Sequence, residues 1–161
     1  MDKRIDVFAS TITLGVKAED LFHLDLAYAP PFSTTKDAVA YTGMALSNAL
    51  NTALLMTPQE LLALQEKQTD MTLIDARTAK SYAAGHIPGA IHVPLSALRE
   101  QSANLNKEKL TIVYCYKGVA GNATQHILQH EGFKTVYNLT GGNDHYQEIA
   151  KQARLEDKAT T

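Results

Sequence analysis

The sequence predicts an α/β protein, with a central, mainly parallel sheet, helices on both faces and an N-terminal arm ahead of it. Three observations predict this. From residue 57 onward, short apolar β-branched runs alternate with stretches of helical periodicity. Glycine and proline stand at most of the boundaries between them. The run 110–114 ends at the chain's only cysteine and leads through Gly118 and Gly121 into a helical pattern. That strand–loop–helix order belongs to doubly wound sheets, whose ligands sit at the carboxyl ends of the strands.

Taken in order, residues 5–14 (IDVFASTITL) read as a β-branched strand ended by Gly15, with a short helix over 17–24. Pro30 and Pro31 force an extended path. Ser33, Thr34 or Thr35 can cap a following helix, on which Val39, Gly43, Leu46 and Leu50 form one apolar stripe. This third of the chain is too small to enclose a core. Residues 51–56 read as the junction. Thr57, Pro58 and Glu60 form a capping-box start to a helix that reaches about Lys67 and buries Leu61 and Leu64. A strand follows over 72–77, then a brief helix over 79–84, a glycine–proline turn over 85–90 and a strand over 91–93. Pro94 opens a short helix over 95–100, and 101–109 is a loop. After the strand 110–114, apolar positions 120, 123, 127 and 128, with Thr124 between, mark a helix closed by Gly132. The last elements are a strand over 135–139 and a helix over 144–154. The domain limits so read are 1–52, 53–154 and a disordered tail, 155–161.

The 161 residues are 45% hydrophobic and 20% charged, with a net charge of −2. No basic patch points to nucleic acid, and no apolar stretch is long enough to span a bilayer. The first ten residues lack a signal-peptide core. One cysteine cannot make an internal disulfide and suits a reducing compartment, so a cytoplasmic protein is expected. The six histidines show no ligand spacing with the cysteine or a carboxylate cluster, so no metal is expected.

Chemistry concentrates at Cys115. At a strand's end it faces the loop N–H groups and the positive end of the next helix, donors that favour thiolate over thiol and would cradle an anion. Lys117 adds a cation. The competing reading is a packed cysteine, since free cysteines are among the most buried residues.

Residues 57–152 resemble a rhodanese domain through four ordered motifs: LIDAR, YAAGHIPGAIHVP, CYKGVAG and LTGGNDHY. The resemblance implies a sulfurtransferase in which Cys115 carries sulfane sulfur as a persulfide. The loop Tyr116, Lys117, Gly118, Val119, Ala120 and Gly121 would hold that persulfide through backbone N–H groups. A six-residue loop beginning at the cysteine is the family's length, and related phosphatases have one residue more. Asp75, Arg77 and His86 match family positions and are read as structural supports. Two departures stand out. Tyr116 stands where sulfurtransferases often carry arginine and Ala120 where they often carry arginine or threonine, and Ser81 replaces a common acidic residue. With no arginine fork, weak thiosulfate affinity is expected, or a preference for a persulfide or polysulfide donor.

The first 50 residues, above all LAYAPPFS, resemble the C-terminal end of flavin-dependent pyridine nucleotide-disulfide oxidoreductases of the coenzyme A-disulfide reductase type. Tyr28 matches a tyrosine that in that family reaches the partner subunit's active site. No GxGxxG stands in this chain, so Tyr28 is read as a buried tyrosine beside a proline turn, and no cofactor is expected in this chain. The expected partners are small sulfur compounds, a second copy bound through the N-terminal arm, and a flavin-dependent reductase. Two alternatives stand beside the enzyme: a non-catalytic binding or oligomerisation module, and the sulfur-delivery fragment of a coenzyme A-disulfide or polysulfide reductase.

Overall fold

The computed structural model of the protein describes residues 2–27, 37–50 and 53–159. The chain divides into two compact units, Met1–Ala53 and Leu54–Thr161.

In the first unit the expected strand over 5–14 is instead a helix, α1 (Asp2–Thr13). The more buried positions of α1 are Arg4, Val7, Phe8 and Thr11, an i, i+3, i+4, i+7 face, while Ile5 and Ile12 point to solvent. The hydroxyls that made the run look strand-like turn back onto the helix. Ser10, Thr11 and Thr13 donate to the carbonyls of Asp6, Phe8 and Ala9. A 3-10 turn over Ala18–His23 stands where a short helix was expected, and α2 spans Ala38–Leu50. The proposed caps Ser33, Thr34 and Thr35 lie outside the described residues, as does Tyr28 with its motif. Asp37 does the capping, accepting from Val39 N–H at 2.8 Å.

Gly43 lets α2 approach the 3-10 turn closely, since a Cβ there would stand 2.6 Å from that of Leu21. The expected apolar stripe is buried only in part. Val39 and Gly43 face inward, but Leu46 and Leu50 stay exposed, because α1 and the short 3-10 turn are the unit's only described partners for α2.

The second unit carries a five-stranded sheet in the order β1-β5-β4-β2-β3: β1 Leu54–Met56, β2 Met71–Asp75, β3 Ala90–His92, β4 Leu110–Tyr114 and β5 Val136–Leu139. Every pairing is parallel. β1 occupies residues expected to be junction. Three residues are too short to show alternation, and the partner β5 arrives only some eighty residues later.

Helices α3 (Pro58–Glu66) and α7 (Gly142–Ala159) cover one face with Leu73, Ile112, Leu139, Tyr146 and Ala150. Helices α5 (Leu98–Ser102) and α6 (Val119–His130) cover the other with Ile74, Val113, Leu128, Phe133 and Val136. Adjacent residues Leu73 and Ile74, or Ile112 and Val113, thus point to opposite cores, which is why these strands read as continuous apolar runs. α4 (Ala79–Ala84) lies between β2 and β3. Thr57 and Glu60 make the capping box of α3: Thr57 N–H donates to Glu60 at 2.7 Å, and Glu60 N–H donates to the Thr57 hydroxyl.

Three further expectations change. Ala123 on α6 is exposed, and the inward face is Gly121, Thr124, Gln125 and Leu128. α5 extends to Ser102, into the expected loop. α7 runs through residues 155–159, where a frayed tail was expected, because four of the five residues there, Leu, Glu, Lys and Ala, favour helix and neither glycine nor proline intervenes.

Candidate active site

The middle strand β4 delivers Cys115 to the carboxyl edge of the sheet, and α6 begins four residues later at Val119. The loop proper is therefore Cys115–Gly118, while Val119, Ala120 and Gly121 form the first turn of α6. Gly118 turns the chain with φ 102°, a left-handed value that disfavours a side chain. It presents its N–H to Cys115 Sγ at 3.2 Å. The next N–H groups, in the first helical turn, have no intrahelical acceptor by geometry and point toward the same edge. Cys115 is 5% exposed, while Tyr116, Lys117 and Val119 are exposed.

Other elements hold this loop from beneath. Asn143 and Asp144 N–H groups, at the start of α7, donate to the carbonyls of Cys115 and Tyr116 at 2.8 and 3.2 Å. Gly142 permits that approach: a Cβ there would collide with Cys115 O and with the Tyr116 carbonyl. Asn138 on β5 is buried and donates from Nδ2 to Gly118 O at 3.1 Å, with its Oδ1 against the Gly121 Cα. The sequence marked LTGGN as a motif but held no sign that its amides grip the cysteine loop. Asn138 sits in an otherwise apolar strand, and that was its only signal.

Asp75 and Arg77 flank the loop. Asp75 is wholly buried and accepts from Arg77 Nε at 3.0 and 3.1 Å, from Nη2 at 2.7 Å and from the Arg77 backbone N–H at 2.9 Å. Arg77 Nη2 also donates to Gly85 O at 2.7 Å, tying the end of β2 to the turn after α4. Hydrogen bonding to Asp75 holds the guanidinium above its ordinary value. Its face lies 5.6 Å from the Tyr114 ring centre and 5.5 Å from that of Tyr116. Burial pushes the Tyr114 phenol well above the usual tyrosine value, and its oxygen accepts from Ile87 N–H at 3.1 Å. His86 is exposed and set apart from the thiol's partners, stacked 3.9 Å from Tyr82 with Nδ1 3.1 Å from Tyr82 O.

A cleft of about 820 Å³ opens beside the loop, lined among others by Arg77, Ser81, His86, Tyr116, Asn143 and Asp144. Tyr116 crosses to α4, where its hydroxyl meets that of Ser81. Ser81 in turn pairs with the Thr78 hydroxyl at 2.8 Å. Among the described residues no group of three or more His, Cys, Asp and Glu is placed to hold a metal, and no helix is long and apolar enough to cross a membrane.

A thiol at the carboxyl end of the central strand of a parallel sheet, beneath a helix N-terminus, defines a cysteine-loop α/β domain. Residues 57–149 match the family model of the rhodanese-like domain, and the chain belongs to that family. Among curated relatives, the thiosulfate sulfurtransferase GlpE of Coxiella burnetii is 40% identical over 76 residues, covering 47% of this chain and 71% of that protein. The protein of the same name from Pseudomonas entomophila is 32% identical over 87 residues, covering 54% of this chain and 78% of that protein. Among solved structures, the reduced CoADR-RHD of Bacillus anthracis is 32% identical with a TM-score of 0.78, covering 94% of this chain. An NAD-dependent persulfide reductase from A. fulgidus is 30% identical with a TM-score of 0.69, covering 89%. This chain spans only about a quarter of each of those two proteins, 27% and 25%.

Proposed function

We propose that this protein is a sulfurtransferase that carries sulfane sulfur as a persulfide on Cys115. The observation that carries the reading is the Gly118 N–H aimed at Sγ at 3.2 Å, with the first turn of α6 behind it. The curated relatives' name, thiosulfate sulfurtransferase, supports the reaction class.

The Cys115 thiolate attacks the outer sulfur of the donor, whose S–S bond breaks. Thiosulfate would leave as sulfite, and a persulfide donor as its thiolate. The terminal sulfur then passes to an acceptor thiolate or to cyanide, which restores the Cys115 thiolate. Backbone N–H groups from Gly118 to Gly121 stabilise the charged sulfur, with Lys117 as the nearby cation. Asp75 and Arg77 brace the loop, while His86 braces the adjoining turn. Both half-reactions run on thiolates, so the transfer as proposed needs no metal or cofactor in this chain. It needs a free thiol, hence a reducing compartment such as the cytoplasm.

The N-terminal segment is proposed to be the dimerisation tail of a coenzyme A-disulfide reductase type protein, with residues 53–154 as the rhodanese domain. The likeness to the Bacillus anthracis protein extends over more of the chain than the Leu54–Thr161 unit alone. On this reading the chain pairs with a second copy through its arm and delivers sulfur to a flavin-dependent reductase. Exposed Ile5, Ile12, Leu14, Leu46 and Leu50 in the first unit support the pairing.

A second reading, a rhodanese-like binding module without chemistry, is favoured by the burial of Cys115. Intact mass after incubation with thiosulfate, and separately with polysulfide, decides between them. The expected result is one added sulfur, absent in Cys115→Ser and removed by cyanide. No gain with either donor in a folded sample would establish the binding module.

A further inference from the structure

Asn138 is a buried polar side chain on β5, and only one end of its carboxamide is used. Nδ2 donates to Gly118 O at 3.1 Å, while Oδ1 is buried without a hydrogen-bond partner among the described residues. An acceptor left unpaired in this way costs stability that an apolar residue of the same shape would not. We propose that Asn138 is a positioning residue for Cys115: it ties the first turn of α6 to the sheet and keeps the amides of that turn aimed at the cysteine edge. The proposal rests on the reading of Cys115 as the reacting thiol, and it adds a residue that tunes the thiol without touching it.

Asn138 pairs with Val113 across the β4–β5 ladder, so it is as fixed as the strand that carries Cys115. Gly118 is the movable piece, a glycine at φ 102° between strand and helix. Its carbonyl accepts two N–H groups. Asn122 N–H, at 2.9 Å, lies one turn along α6 and moves with the helix, whereas Asn138 Nδ2 comes from the sheet. In a trans peptide the C=O and N–H point opposite ways. With Gly118 O drawn along α6, the Val119 N–H of the same peptide points back out of the helix N-terminus. The clamps on Cys115 O and Tyr116 O are backbone amides. The clamp on Gly118 O is a side chain, and a substitution can remove it.

Gly121 meets the same carboxamide from the helix side. A Cβ there would collide with Asn138 Oδ1 but stand 3.6 Å from Cys115 N, an ordinary contact, so the carboxamide is what must yield. Oδ1 and Nδ2 share one plane, and turning Oδ1 away carries Nδ2 off Gly118 O. A methyl group added at 121 and loss of the carboxamide at 138 therefore have one consequence. The peptide after Gly118 is freed, and an anionic sulfur at Cys115 loses a fixed donor.

A pH titration of the full chain by ultraviolet absorbance reads the thiolate without depending on sulfur transfer. The chain has one cysteine, and Cys115→Ser supplies the blank. Asn138→Ala, Asn138→Leu and Gly121→Ala should each move the midpoint of thiolate formation up by about half a pH unit to one unit, the scale of one ordinary hydrogen bond. A residue that only packed would change stability and leave the midpoint where it is. Circular dichroism confirms that each variant is folded, and Asn138→Leu, which conserves volume, carries the test should Asn138→Ala fail to fold. Adding Gly121→Ala to Asn138→Ala should move the midpoint no further than the larger single shift. An unmoved midpoint in any of the folded single variants, or shifts that add in the double, would overturn the role of Asn138. Polysulfide loading, read by intact mass, keeps the two ideas apart. Loading with an unmoved midpoint removes the positioning role and leaves the transferase, whereas a moved midpoint without loading upholds the positioning role and removes the transferase.

Discussion

Asp75 and Arg77 were visible in the sequence as two residues of LIDAR, but their energetic weight comes from burial. Their side chains are 0% and 4% exposed, and the pair is bidentate. Removing one member of such a pair leaves a charge with neither water nor partner. Arg77→Met should therefore cost about 3–5 kcal/mol, read as a lowered urea midpoint with an unchanged slope. A loss under about 1 kcal/mol would mean that water reaches Asp75. Ser81 and Tyr116 show the opposite case. Each was legible as a departure from a pattern, yet their contact depends on α4 lying beside the cysteine loop, which no local signal encodes.

At the level of elements, strands with partners on both sides were the easiest to read. β4 spans the expected residues 110–114, and the capping box of α3 stands where Thr57 and Glu60 placed it. The expected strand over 5–14 failed because β-branched residues report a fit to a pleated surface, and the described residues of its unit hold no strand for α1 to pair with. α2 carries a prediction of its own. Its cap Asp37 also pairs with Arg4 at 2.6 Å, and the hydrogen bond from Arg4, then that from Val39, hold its carboxyl below the usual value. A folded value below the unfolded one stabilises the fold at pH above the ordinary carboxylate range. That stabilisation is lost as pH falls through the lowered value. Arg4 is 43% exposed and solvent-screened, so the contribution is about 0.5 kcal/mol. Helical ellipticity titrated from pH 5 to 2 should show a small acid-labile component that Asp37→Asn removes.

For the whole molecule, the division at Ala53 and Leu54 implies that the sheet unit owns its core. A chain of residues 54–161 is expected to keep a cooperative thermal transition and to be monomeric. The full chain is expected to be a dimer, as measured by light scattering. A monomer in both cases would remove the pairing proposed for the N-terminal segment, and loss of cooperative melting would show that the sheet unit depends on that segment.

Sequence alone determined the alternation of strand and helix, the glycine-bearing loop after Cys115 and the mainly apolar runs of the inner strands of a two-faced sheet. These are local properties, since periodicity, turn chemistry and capping act within a few residues. The tertiary structure decided what lies under and over that loop: the amides of Asn143 and Asp144 on its carbonyls, Asn138 beneath Gly118, and Tyr116 bound to Ser81. It also decided that residues 54–56 are a strand and that α1 is a helix. Each depends on which surface the chain meets after it folds, and a linear pattern does not specify that surface.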